Sequence, residues 1–465
     1  MAQIAIAGGG ICGMAAAMML ADDGHAVTVF ERDAAPPPPG PAEAAGWDRR
    51  SVAQFGLGHW MHSRGTSILR TSVPRAYELV RDNGGLAFNI VTYLLGLQGV
   101  DPEPSDDRFD LLTGRRSTLE WALATAADEH PGVEVRRGCV IAGFTADTEG
   151  AVPHVTGLRL DDGEIVVADL VIDVTGRRSP TPAWLEDIGA RPPDEVTEDS
   201  GFAYCGRYFQ SHDGSTPAII APLLSPFGSI SLLTLPADNG TWSVTLYGLA
   251  DDKPVRRFRD EDVFRRVVKE MPLHAHWLDG EPIGDMCSMV GPVDRERSYV
   301  VDGTPCATGV LTVADAAACT NPSLGRGMSL GLIHVEILRE TIAAHLDDPH
   351  ALAIAFHERT KAELQPYHDA TTRTDRRRVN DMRIHRDGGT PVPTADERMA
   401  DVLVGAATTD PTMARAYGDI MGCNALVEEV LAQPGVFDRL LELGDGPAPE
   451  PPPGPGRERI IELVR

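Results

Sequence analysis

The chain has 465 residues, of which 42% are hydrophobic, and its 42 basic and 68 acidic side chains give a formal charge of −26. That length suits two or three domains with a sizeable core, and so acidic a balance argues against a nucleic-acid partner. No run of 18 uncharged apolar residues is present to span a membrane.

In chain order, residues 3–7 read as a short buried strand and residues 8–13 as a glycine turn. Residues 11–22, rich in Ala and Met, read as a buried helix, and 25–30 as a second strand. The Pro-rich stretch 34–41 reads as a surface loop. Helical spacing runs over 62–84 and stops at Gly84-Gly85, and a further helix is expected over 117–129. Strands follow at 133–144, 153–160 and 164–174, the first carrying Val140. From 195 to 300 the pattern turns β-rich, with strands expected at 202–209, 218–223, 229–235 and 242–249. A buried strand at 310–314 and a helix over 327–346 come next, and the remainder to about 440 reads as helical. Residues 447–456 read as a flexible Pro-rich piece. The first strand pattern has no basic region ahead of it, so no signal peptide is expected. Seven cysteines without a CxxC pair suggest a reduced cytoplasmic chain with neither disulfides nor a metal site.

Four segments carry chemistry. Gly8-Gly9-Gly10-Ile11-Cys12-Gly13 matches GxGxxG between a strand and a helix. Gly8 permits the turn, Gly10 lets the backbone approach a pyrophosphate, and Gly13 allows close packing of helix on strand. Glu31 ends the next strand and can accept ribose hydroxyls. Farther on, Asp315 closes an apolar strand, followed by Pro322, Gly325 and Gly327 and a helix that starts near Met328. Asp315 can hold ribityl hydroxyls, while the helix N-terminus can point amides at the N1–C2=O edge of a flavin. Arg116 precedes a helix and can reach a pyrophosphate oxygen. The run Thr175-Gly176-Arg177-Arg178 ends an apolar strand; it can sit near a phosphate or be a solvated basic turn.

In this order the motifs resemble the p-hydroxybenzoate hydroxylase-fold FAD-dependent monooxygenases, which include aromatic hydroxylases, epoxidases and halogenases; the likeness to actinobacterial epoxidase-like oxidoreductases is closest. The resemblance covers residues 1–345. It implies an α/β fold: a Rossmann-type FAD-binding domain with an inserted β-rich substrate domain and a helical C-terminal part. The implied boundaries are 1–194 and 301–346 for FAD binding, 195–300 for the insert, 347–445 for the helical region and 446–465 for a flexible tail. It implies FAD held by Gly8, Gly10, Gly13, Glu31, Arg32, Arg116, Val140, Asp315, Pro322, Gly325, Gly327 and Met328. NAD(P)H, or a flavin reductase supplying reduced flavin, would provide electrons, and O2 would be activated as a flavin C4a-hydroperoxide to hydroxylate or epoxidise an apolar small molecule.

Two positions depart from the family pattern. Ala314 stands for the glycine before Asp315, and Thr175 for an aspartate before Gly176. The second departure bears on direct reduction by a nicotinamide. The six tryptophans form no WxWxIP signature, which weakens a halogenase reading. Tyr204, Tyr208 and His212 are candidates for a proton relay at the substrate, and His59 for a neighbour of the active site. The His59/His62 pair lacks further ligands for zinc. Arg376 to Arg378 are expected on a solvated face. A reductase of the geranylgeranyl-reductase type and a flavin-binding accessory protein without turnover remain open alternatives.

Overall fold

The computed structural model describes residues 1–50, 52, 54–444 and 452–465. The chain opens with β1 (Gln3–Ala7), α1 (Ile11–Asp22) and β2 (Ala26–Glu31). Helix α1 is almost wholly buried, because it packs both on this sheet and against later helices; its Ala and Met side chains suit close approach on every side. Helix α2 (Ile90–Gln98) is capped by the Asn89 side chain and ended by left-handed Gly99. Helix α3 (Arg116–Glu129), β3 (Val133–Arg137) and β4 (Leu170–Asp173) complete the first part.

The middle of the chain forms an antiparallel sheet from β5 (Phe202–Gln210), β6 (Leu224–Phe227), β7 (Ile230–Pro236), β8 (Thr241–Leu249) and, beyond helix α4 (Glu261–Lys269), β9 (Glu281–Val290). The order is β6-β7-β8-β5-β9. The chain then returns through β10 (Val310–Thr312), which pairs parallel with β4. This closes a five-stranded parallel sheet of order β10-β4-β1-β2-β3. Glycine turn and Asp315 segment thus lie at the C-terminal ends of β1 and β10, on either side of β4, where ligands of open parallel sheets bind. Helices α5 (Gly327–His345), α6 (Gln365–Arg386), α7 (Ala395–Ala406) and α8 (Pro411–Met421) follow. No helix among the described residues is long and apolar enough to cross a membrane.

The mixed α/β architecture expected from the motifs is present, with local corrections. The single helix expected over 62–84 is two, Ser63–Ser72 and Pro74–Asp82; Pro74 has no N–H to continue the first and starts the second. The strand expected over 133–144 breaks at left-handed Gly138, so Val140 lies between two strands. Residues 218–223 form no strand; pairing begins at Leu224. Residues 447–451 of the Pro-rich piece lie outside the described residues, but the end of the chain is not a free tail. Helix α9 (Arg457–Leu463) docks on the insert. Its Ile460 and Leu463, with Val464, join the core of Phe258, Phe264 and Val268. Arg457 pairs with buried Asp252 at 2.5 Å. Proline richness signals an extended linker but says nothing of the seven residues beyond it.

Candidate functional site

One cavity of about 2140 Å³ runs from the glycine turn to the C-terminal helices. Single-ligand pockets hold roughly 300–1,000 Å³, so there is room for a dinucleotide and a second molecule. Gly8, Gly10, Gly13, Glu31, Arg32, Arg116, Val140, Asp315, Pro322, Gly325, Gly327 and Met328 all line it.

At the first end, Gly8 has φ +108°, and a side-chain carbon there would sit 2.7 Å from the Val174 carbonyl oxygen. One on Gly13 would sit 2.0 Å from the Gly8 carbonyl oxygen, whereas Gly10 faces open space. Backbone is therefore bare where a pyrophosphate would approach, beside the free amides of α1. Glu31 accepts the N–H of Gly9 through Oε2 and that of Asp33 through Oε1, each at 2.9 Å. Arg49 also engages Oε2, so Oε1 is the oxygen that keeps a second lone pair for a ribose hydroxyl.

Sequence reasoning missed Arg49. Its buried guanidinium reaches Glu31 at 3.2 Å, Asp33 at 3.6 Å and Glu120 at 3.1 Å, and it donates to the Gly9 carbonyl at 3.1 Å. Arg116 donates to the other Glu120 oxygen at 2.8 Å. Alternating charges thus join the glycine turn to α3. No motif in the 47–54 segment flags Arg49, because its partners lie at distant positions.

At the second end, burial raises the pKa of Asp315, opposed by the Arg177, Arg116 and Arg295 guanidiniums. Arg177 and Arg295 each keep a buried Nε without a partner. A ligand carrying both hydroxyls and phosphates suits this mixture of acceptor and donors. Ala314, in place of the family glycine, takes the left-handed conformation at φ +55°. Its N–H donates to His334 Nδ1 at 3.0 Å, and Gly331 on α5 leaves room for its methyl group. His334 must be neutral to accept; burial pushes its pKa down to about 3. The left-handed form costs a non-glycine residue about 1–2 kcal/mol. Downstream, Gly325 is left-handed at φ +66°, and a side-chain carbon at Gly327 would meet open space. The first amides of α5, which have no carbonyl partner within the helix, start there.

Thr175 lines the cavity, but the nearest carboxylate lies two residues earlier and faces inward. Buried Asp173 accepts Thr175 N–H at 2.8 Å, Thr175 Oγ1 at 2.6 Å, Thr181 Oγ1 at 2.7 Å and the Ser179 hydroxyl. It organises the turn from beneath. Val174, Gly176, Arg177 and Arg178 also face the cavity.

Between the insert and the C-terminal helices the walls mix apolar side chains, with Leu94, Leu233, Leu235, Met289, Leu403 and Ala407 among them, and charged ones from α6 and α7, such as Asp369, Arg373, Glu397 and Asp401. Of the three relay candidates only Tyr204 lines the cavity, and its hydroxyl donates to Asn321 Oδ1 at 2.8 Å. Tyr208 instead donates to the Leu57 carbonyl at 3.0 Å, and His212 is exposed outside the cavity. His59 does line it. Its Nδ1 lies 2.8 Å from the Leu57 carbonyl, and burial, with Arg116 nearby, pushes its pKa down to about 3, so the ring is neutral. Arg376 and Arg377 pair with Glu198 and Asp401. Arg378 corrects the expected solvated face: it packs over Tyr247, 4.8 Å from the ring centroid, and its pKa falls to about 10 by burial.

Residues 1–193 match the FAD binding domain family. Protein Rv3254 of Mycobacterium tuberculosis is 27% identical over 438 residues, covering 89% of this chain and 87% of that protein. Kynurenine 3-monooxygenase of Salinispora tropica is 24% identical over 434 residues, covering 86% and 85%. The crystal structure of PqsL, a probable FAD-dependent monooxygenase from Pseudomonas aeruginosa, shares the fold at a TM-score of 0.58. Its identity is 17%, over 82% of this chain and 99% of that one. The chain thus matches an FAD binding domain over residues 1–193 and is similar in sequence to kynurenine 3-monooxygenase and in fold to a probable FAD-dependent monooxygenase.

Proposed function

We propose that this protein inserts one oxygen atom of O2 into an apolar organic molecule, hydroxylating or epoxidising it. The observation that carries this reading is the continuity of one cavity from the glycine turn to a chamber with an apolar side formed by Leu94, Leu233, Leu235 and Met289. FAD supplies the redox chemistry and oxygen activation when bound. Gly8, Gly10 and Gly13 would lie along its pyrophosphate with Arg116, while Glu31 and Arg32 would hold the adenosine ribose, beside Val140. Asp315 would hold the ribityl chain, and the Pro322–Met328 segment the flavin edge. The 195–300 insert and the C-terminal helices would exclude water from the substrate. Net reaction consumes two electrons and two protons, and the second oxygen atom leaves as water.

Asp173 is committed to its own turn and Thr175 carries no charge, so the carboxylate that the family pattern places beside a nicotinamide is missing from the cavity wall. That supports electron delivery by a separate flavin reductase over direct NAD(P)H oxidation, in a cytoplasmic setting where both are at hand. The decisive experiment mixes the FAD-loaded protein anaerobically with NADPH or NADH, with and without an apolar substrate, and follows the oxidised flavin band. We expect slow bleaching with either nucleotide and fast bleaching once a flavin reductase is added. Oxygen uptake should then match product formed. Double-bond reduction without oxygen uptake would overturn the monooxygenase reading. A protein that takes up no FAD would overturn the cofactor placement as well.

A further inference from the structure

Tyr204 from β5, Asn321 and Ser323 from the turn before α5, and Asp375 from α6 meet in the interior, each no more than 4% exposed. Asp375 accepts the Ser323 hydroxyl through Oδ1 at 2.5 Å and the Asn321 side-chain amide through Oδ2 at 3.0 Å. That fixes the Asn321 amide so that its Oδ1 faces Tyr204, which donates at 2.8 Å. The Asn321 backbone N–H donates to Asp294 Oδ1 at 2.5 Å. The turn is therefore held by Tyr204 and Asp294 from the insert and by Asp375 from the C-terminal helices at once.

Asp375 makes no ion pair among the described residues. The nearby Arg326 guanidinium instead donates to Thr371 Oγ1 at 3.5 Å and to the Ile420 carbonyl at 3.2 Å. A buried carboxylate without a cation is costly, and an apolar side chain would fill the same space more cheaply. Burial raises its pKa to about 6, with Asp294 adding to the rise and the two donors and Arg326 opposing it. So expensive a group must be kept for what it holds. What it holds is the Asn321–Ser323 segment, immediately ahead of Gly325 and the first amides of α5.

We propose that Asp375 is a positioning residue for the flavin: it fixes the turn whose following amides stabilise negative charge on the flavin N1–C2=O edge. The inference rests on the cofactor placement proposed above. Its test compares FAD-loaded wild type, Asp375→Ala, Asp375→Asn and Ser323→Ala by dye-equilibrated reductive titration, alongside the visible spectrum of bound flavin. Asp375→Ala and Ser323→Ala should lower the preference for reduced over oxidised flavin roughly tenfold while FAD stays bound. Asp375→Asn keeps the shape and the acceptor for Ser323 but sets an NH2 against the Asn321 amide, so it should shift in the same direction as Asp375→Ala, by about threefold. Equal upward shifts for Asn and Ala would identify a through-space effect of the charge and overturn positioning. An unchanged potential and spectrum in Ser323→Ala would overturn it too, and that variant decides the matter even if Asp375→Ala does not fold. Failure of wild type to bind FAD would instead sink the cofactor placement beneath it.

Discussion

Glu31 illustrates how much of the site rests on single side chains. It is already a double acceptor for backbone, and Arg49 holds Oε2, so the remaining lone pair on Oε1 is fixed in direction before any ligand arrives. Glu31→Ala removes the proposed ribose acceptor and orphans part of Arg49. We expect FAD affinity to fall about 10- to 100-fold, the range for one or two hydrogen bonds to a charged group. Fluorescence titration of the apoprotein with FAD measures this, and full flavin content at unchanged affinity would place the adenosine elsewhere. Glycines and acids that act through neighbours in sequence, such as Gly8 and Gly13, were legible from spacing alone. Arg49, Asp173 and Asp375 were not, because their partners are set by the tertiary fold. An inward-facing aspartate reads the same in sequence as an outward one.

At the scale of elements, apolar periodicity and punctuation carried most of the assignment. A strand followed by glycines and an all-apolar helix can only be a buried βα unit, and β10 repeats that logic 300 residues later. Errors arose where one residue decides a boundary, at Pro74 and Gly138, and where an apolar run at 218–223 lines a cavity instead of pairing. Helix α9 was missed because seven residues after a proline tract are too few to show a period. Its docking makes a sharp expectation. Ile460 is fully buried against the insert core, so Ile460→Ala should cost about 2–5 kcal/mol. A urea-denaturation midpoint equal to wild type would mean that this helix contributes nothing to the insert.

Across the whole molecule, buried histidines set the response to acid. Burial pushes His59 and His334 down to about 3, and His62 and His368 to about 4. The unfolded chain takes up these protons near pH 6.5, before the folded protein can. Stability is therefore complete above that pH and is lost as pH falls toward 4, by up to about 1.4 kcal/mol per unit for each ring. Asp375, raised from 3.8 to about 6, works in the opposite sense: its folded form binds the proton first, so its contribution declines as pH rises between those values. Asp315, also raised by burial, acts in the same sense as Asp375; four rings outweigh these two carboxylates, so the denaturation midpoint of the FAD-loaded protein should drop between pH 7 and pH 5. A flat profile would require these rings to be solvated. The docking of Ile460 and Leu463 on the insert also orders events at the ribosome. The sheet made by residues 202–290 emerges with one flank of its core open, and the segment that covers it is synthesised only after the intervening C-terminal helices. At the usual 5–20 residues per second, the intervening stretch takes roughly ten seconds or more to translate. The nascent insert must wait through that interval with apolar side chains uncovered, and it is there that a chaperone would find its purchase.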